Sequence, residues 1–201
     1  MTNCPPPHSF KVRAAWVVAA LLSLSRLVAA FLLPGLLLGA KADWPFGLAL
    51  VAWAGFSDFA DGAVARRFGA ESPLGAALDP IADKAFCLVA FWVLMRAGLM
   101  PWGLWGAMIA RDLLIVAGYS LLHLKKRTPQ PKPIWSGKVY TAVQLLALAL
   151  VFLQQAFWPL WPGAWILQAL LWGALWVMLV WSLYGYVMQG YRLWKAPPEN
   201  A

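Results

Sequence analysis

Long apolar stretches separated by short polar or proline-rich breaks organise this chain. Between Val139 and Tyr191 no charged residue occurs. That is too much for one membrane crossing, which needs about 20 apolar residues, and residues 158–163 (WPLWPG) form a natural break. The pattern predicts two helices, over 139–157 and 163–190. Upstream, residues 14–38 form a first apolar span interrupted only by Ser23, Ser25 and Arg26. A secretory signal has an apolar core of roughly 7–15 residues and a small-residue cleavage site, so this longer segment reads as retained. A second span runs from Trp44 into the Asp58 region, a third over 75–94 and a fourth over 101–124. The expected fold is an all-α integral membrane protein with six transmembrane helices, in one domain spanning 1–201.

Composition agrees. The chain is 62% apolar and 12% charged, with a mean hydropathy of +0.67, against about 25% charged residues in soluble domains. Disorder, a disulfide scaffold and a nucleic-acid module are excluded, and the bilayer is the expected partner. Sidedness follows from Lys and Arg in the connections. Lys11, Arg13, Arg66, Arg67, Lys125, Lys126, Arg127, Lys132, Lys138, Arg192 and Lys195 fall on one side, and only Lys41 and Arg96 on the other. Both termini are therefore expected to be cytoplasmic, in a cell membrane such as a bacterial inner membrane. The net charge of +8 then records topology and anionic head groups. Trp44, Trp102, Trp105, Trp158, Trp161 and Trp165 lie in the opposite connections, as an interfacial aromatic belt would. Cys4 and Cys87 match no metal or redox spacing, and His8 and His123 are isolated.

The acidic residues carry the candidate chemistry. Of eight in the chain, Asp58, Asp61, Asp79 and Asp83 fall around the cytoplasmic ends of spans two and three. A carboxylate in or near a span is costly and points to function. Asp58 and Asp61 are three apart, Asp79 and Asp83 four apart, so each pair shares a helix face. A short connection between the spans would oppose the two pairs. Four converging carboxylates need cations between them; hard oxygen ligands suit Mg²⁺ or Mn²⁺, and two such ions form a clamp for phosphoryl displacement. Gly62, Ala65 and Gly75 leave room for a bulky ligand near the backbone, although small residues also serve helix packing. Arg66 stands where a guanidinium could fork onto phosphate, or could serve only as an inside positive charge. A divalent-cation carrier would use similar carboxylates, but carrier sites lie near the midplane on broken helices, whereas these acids cluster at one face.

Residues 58–83 read DFADGAVARRFGAESPLGAALDPIAD. This is D-x2-D-G-x2-A-R-x8-G-x3-D-x3-D, and it resembles the signature of the CDP-alcohol phosphotransferase family, membrane enzymes of phospholipid synthesis. The resemblance implies six transmembrane helices, a homodimer, two divalent ions and a CDP-linked donor. By position it implies that Asp58, Asp61, Asp79 and Asp83 are metal ligands and that Asp83 is also the base for the acceptor hydroxyl. Gly62, Ala65 and Gly75 would line the cytidine pocket, and Arg66 would steady the donor phosphates. The implied reaction is attack of an alcohol on the lipid-linked phosphorus of the donor, with CMP leaving.

Further stretches bear on the acceptor. Residues 23–26 (SLSR) resemble a segment near the start of phosphatidylglycerophosphate synthases and cardiolipin synthases, and residues 79–84 (DPIADK) resemble the form those two subgroups share. Ala110, Arg111 and Asp112 look like the (A/S)RD of CMP-forming cardiolipin synthases, and residues 141–144 (TAVQ) are nearer that type. The expected reaction therefore joins CDP-diacylglycerol to phosphatidylglycerol, giving cardiolipin and CMP; glycerol 3-phosphate is the alternative acceptor. Arg111 and Lys138, near the cytoplasmic ends of spans four and five, are candidates for the acceptor's phosphate, with Lys84 and Arg26 as further candidates. Snorkelling of a long basic side chain to the interface is the competing reading, above all for Lys138.

Overall fold

Six helices account for most of what the computed structural model describes, which is residues 10–39, 41–68, 73–124 and 134–195. Side chains at 10–16, 18–20, 58, 59, 61–81 and 123 lie outside that description. The helices are α1 (Phe10–Leu37), α2 (Trp44–Phe68), α3 (Pro73–Arg96), α4 (Trp102–Leu124), α5 (Trp135–Phe157) and α6 (Ala164–Lys195). Among the described residues there is no strand. Three helical segments, Trp102–Leu122, Trp135–Phe157 and Ala164–Lys195, are long and apolar enough to cross a membrane, and α1 and α2 contribute the shorter apolar stretches Leu21–Leu37 and Trp44–Ser57. The chain is an all-helical, multi-pass integral membrane protein.

The ends of the helices follow from local chemistry. Asp43 caps α2, its Oδ1 accepting the Phe46 amide at 3.0 Å, which satisfies one of the free N–H groups of the first turn. Pro73 opens α3 at a position that needs no N–H. Gly98, at φ +75°, follows α3 in the left-handed conformation that ends helices. Residues 158–163 interrupt the charge-free stretch as the sequence predicts, and buried Gln154 donates from Nε2 to the Trp158 carbonyl at 2.9 Å to close the end of α5. Several helices outrun their predicted spans; α5 starts at Trp135 and α6 continues to Lys195. Apolarity marks the lipid-facing length, whereas the helix continues into polar residues.

The chain divides into two compact units, Met1–Ala97 with Phe152–Pro159, and Gly98–Val151 with Leu160–Ala201. In the first, α1 packs along both α2 and α3, while α2 and α3 touch each other much less among the described residues. Ala29, Ala30, Ala54, Ala82 and Ala90 are buried there, small side chains that let helices approach closely. The outward stripe of α1 is Val17, Leu21, Leu24, Val28 and Phe31, all exposed, at the spacing of one helix face. In the second unit α4 packs on α6. Leu104, Met108, Leu175 and Leu179 are buried, and Trp172 Nε1 donates to the Leu99 carbonyl at 2.9 Å.

Candidate active site

The acidic motif is divided between two helices of the first unit. The second half of α2 carries Asp58, Asp61, Gly62, Ala65 and Arg66, and the first half of α3 carries Gly75, Asp79 and Asp83. All but Asp83 have side chains outside the described residues. The Asp83 side chain is 48% exposed and forms an ion pair with Arg26, whose Nη1 donates to Asp83 Oδ1.

Arg26 sits in the middle of α1 and is 0% exposed. A cation within a membrane-spanning segment is expensive and normally pairs or serves a function. Here it crosses from α1 to α3. Its neighbour Ser25 reaches the other way: the Ser25 hydroxyl accepts the Trp53 Nε1–H of α2 at 3.0 Å and donates to the Leu22 carbonyl at 2.7 Å. Buried Ser57, one residue before the motif, donates to the Ala54 carbonyl at 2.9 Å. Consecutive residues of the SLSR stretch thus tie α1 to the two helices that share the motif.

Among the described residues no three His, Cys, Asp or Glu side chains gather, because three of the four motif carboxylates fall outside them. The chemistry of the donor set does fit hard divalent cations: carboxylates only, in helical i,i+3 and i,i+4 pairs, the oxygen donors that Mg²⁺ and Mn²⁺ take.

Arg111 occupies a second polar centre, in the other unit. Arg111 is 7% exposed. Nη1 donates to Asp112 Oδ1 at 2.7 Å and Nη2 to Ser182 Oγ at 2.6 Å. The Tyr140 and Tyr186 rings stand 4.6 and 5.3 Å from its central carbon, within cation–π range. Among the described residues Nε is buried without a hydrogen-bond partner, as is the hydroxyl of Ser136. Gly137 permits the approach of Tyr186, since a Cβ there would stand 2.6 Å from its hydroxyl. Lys138, in the first turn of α5, is exposed.

The sequence reading singled out Arg111 and Lys138 but not Ser182 or Tyr186, which lie in the charge-free stretch. Their one signal is a spacing of four, which places two polar groups on one face of a helix otherwise made for lipid.

Comparisons with known proteins identify the family. Residues 16–183 match the family model described as CDP-alcohol phosphatidyltransferase. A cardiolipin synthase (CMP-forming) of Rattus norvegicus is 34% identical over 152 residues, covering 67% of this chain and 49% of the rat protein. The Homo sapiens protein of the same name is 33% identical over 152 residues, with the same coverage. The chain thus spans about half the length of these curated relatives. A CDP-diacylglycerol--glycerol-3-phosphate 3-phosphatidyltransferase of Escherichia coli (strain K12) is 33% identical over 150 residues, covering 71% of this chain and 78% of that protein.

Proposed function

The chain belongs to the CDP-alcohol phosphatidyltransferase family, and from that premise we propose that it transfers the phosphatidyl group of CDP-diacylglycerol to phosphatidylglycerol, giving cardiolipin and CMP. The observation that carries the CMP-forming transfer is the complete eight-residue motif at 58–83, inside the matched segment and split between α2 and α3; the choice of phosphatidylglycerol rests on residues 110–112 (ARD) and 141–144 (TAVQ).

In this reading Asp58, Asp61, Asp79 and Asp83 hold two Mg²⁺ or Mn²⁺ ions. When bound, such ions offset charge on the donor's pyrophosphate and on the departing CMP. The cytidine lies against Gly62, Ala65 and Gly75, where short side chains leave space, and Arg66 forks onto donor phosphate. Asp83 takes the proton of the acceptor hydroxyl. The freed oxygen forms a bond to the lipid-linked phosphorus, the bond from that phosphorus to the bridging oxygen breaks, and CMP leaves with that oxygen. Base assistance matters because an alcohol is a weak nucleophile at neutral pH.

Arg111 and Lys138 are the proposed contacts for the acceptor's phosphate, where a guanidinium or ammonium pairs with an anionic oxygen. In this reading six helices cross the cell membrane with both termini and the active site on the cytoplasmic side, which the bias of Lys and Arg toward one set of connections supports. On the same reading the chain is one family domain, since the matched segment, 16–183, runs through both compact units, and it acts as the homodimer that the family resemblance implies.

A second reading, phosphatidylglycerophosphate synthase, is favoured by the higher coverage of the Escherichia coli relative. One assay separates them: CMP release by the purified protein with CDP-diacylglycerol and Mg²⁺, offering phosphatidylglycerol or glycerol 3-phosphate, with Asp83→Asn as the blank. Release with phosphatidylglycerol alone supports the first reading. Release with glycerol 3-phosphate alone replaces it with the second. Release with neither overturns both.

A further inference from the structure

We infer that Arg26 is a positioning residue for this reaction, and that the first helix, which carries no motif residue, sets the geometry of the site through it. The inference rests on the proposed function for its catalytic half and on geometry alone for its structural half.

The argument begins with the helices. Two motif carboxylates belong to α2 and two to α3, and among the described residues these two helices make few contacts with each other. The helix that both pack against is α1. Its inward face carries Ser23, Arg26, Ala29, Ala30, Leu33 and Leu37, all buried. Two adjacent residues on α1 then fix its neighbours in opposite directions: Ser25 accepts the Trp53 indole N–H from α2, and Arg26 donates to Asp83 of α3. A shift of α3 along α1 by one helical residue, about 1.5 Å, would pull the Asp83 carboxylate from the guanidinium.

The burial of the pair is lopsided. The Arg26 side chain is 1% exposed and that of Asp83 is 48% exposed. The cation is therefore the fixed member, held in packed protein, and the anion is the member presented outward. A guanidinium is permanently charged, and through the Nη1–Oδ1 contact it holds the position of the carboxylate it binds. This suits a group that must meet an acceptor hydroxyl, because a misplacement of about 1 Å can cost 10²-fold in rate.

The test uses the full-length protein in detergent. Arg26→Met is expected to lower kcat for CMP release about 10²-fold, with the KM for CDP-diacylglycerol within roughly threefold of wild type, and Arg26→Lys to restore about tenfold of that loss. A folded Arg26→Met protein with kcat within about twofold of wild type overturns the inference, as does a variant whose loss lies wholly in KM for the acceptor.

A melting experiment in EDTA keeps the structural half falsifiable if Arg26→Met folds poorly, and it does not depend on activity. Asp83→Ala takes from the buried Arg26 a carboxylate that it binds, so it should melt below wild type by more than Arg26→Met does, and adding Arg26→Met to it should raise its melting temperature. Strictly additive losses would show that the two side chains do not hold one another and would overturn the inference. If the wild-type protein releases no CMP with either acceptor, the proposed function fails and the catalytic half of the inference with it. The melting series then still decides whether α1 holds α3 through this pair.

Discussion

Among the described residues two arginines are buried, Arg26 and Arg111, and they are held in opposite ways. Arg26 reaches 57 residues along the sequence to a carboxylate on another helix. Arg111 takes its carboxylate from the next residue, Asp112, and completes its surroundings with Ser182 and two tyrosine rings. At Arg26 the partner is itself a motif residue, so the cation serves the carboxylate. At Arg111 the order reverses: the carboxylate, hydroxyl and rings serve the cation, offsetting the cost of its burial. The contrast shows that an intramembrane arginine can be the end of an interaction network or its beginning, and that the identity of its acidic partner tells which.

The contrast can be broken first at the two acids. Asp83→Asn should lower CMP release by about 10³-fold or more, the range expected for loss of a general base, whereas Asp112→Asn should keep release within about fivefold of wild type. Equal losses, measured as CMP formed per minute by the purified variants, would erase the distinction. Next come the cations. Beside the kcat loss expected at Arg26, Lys138→Met should raise the KM for the phosphorylated acceptor about tenfold while leaving the KM for CDP-diacylglycerol unchanged. An unchanged acceptor KM would remove Lys138 from the acceptor site.

Smaller effects probe the support of Arg111. Ser182→Ala removes the group that accepts its Nη2 and should cost about 1.5–3 kcal/mol, read as a lower melting temperature in detergent. Gly137→Ala should cost about 1 kcal/mol, the low end for overpacking, since the atom it meets is the mobile tip of Tyr186. A second change, Tyr186→Leu, should recover part of that loss in the same melting assay.

Much of this was legible in the sequence, for definite reasons. The acids stood out at positions 58, 61, 79 and 83 because a lipid-embedded chain holds few of them, and the Trp–Pro break at 158–163 announced where α5 ends. The partners of α1 were not legible. In a soluble helix the apolar face points inward, but in lipid the outward face is apolar as well, so periodicity does not say which side of α1 meets protein. Only the small and polar positions do, and Arg26 among them suggested a phosphate before its placement on Asp83 was known. Ser182 and Tyr186 were hidden for the same reason, as weakly polar residues in a stretch whose hydropathy alone defines it.

The long reach of Arg26 also bears on how the protein is made. Synthesis proceeds at about 5–20 residues per second, so the 57 residues between Arg26 and Asp83 take roughly 3–11 s. For that interval the nascent first helix must enter the bilayer without the carboxylate that later neutralises it, at a cost of about 2.5–3.5 kcal/mol if the charge lies at the centre of the helix. The apolar stripe from Val17 to Phe31 offsets that cost during the wait. Each leucine, phenylalanine or valine in it favours insertion by about 0.3–0.6 kcal/mol. The five residues of the stripe together supply about 1.5–3 kcal/mol, so the side of α1 farthest from the chemistry helps the charged side into the membrane.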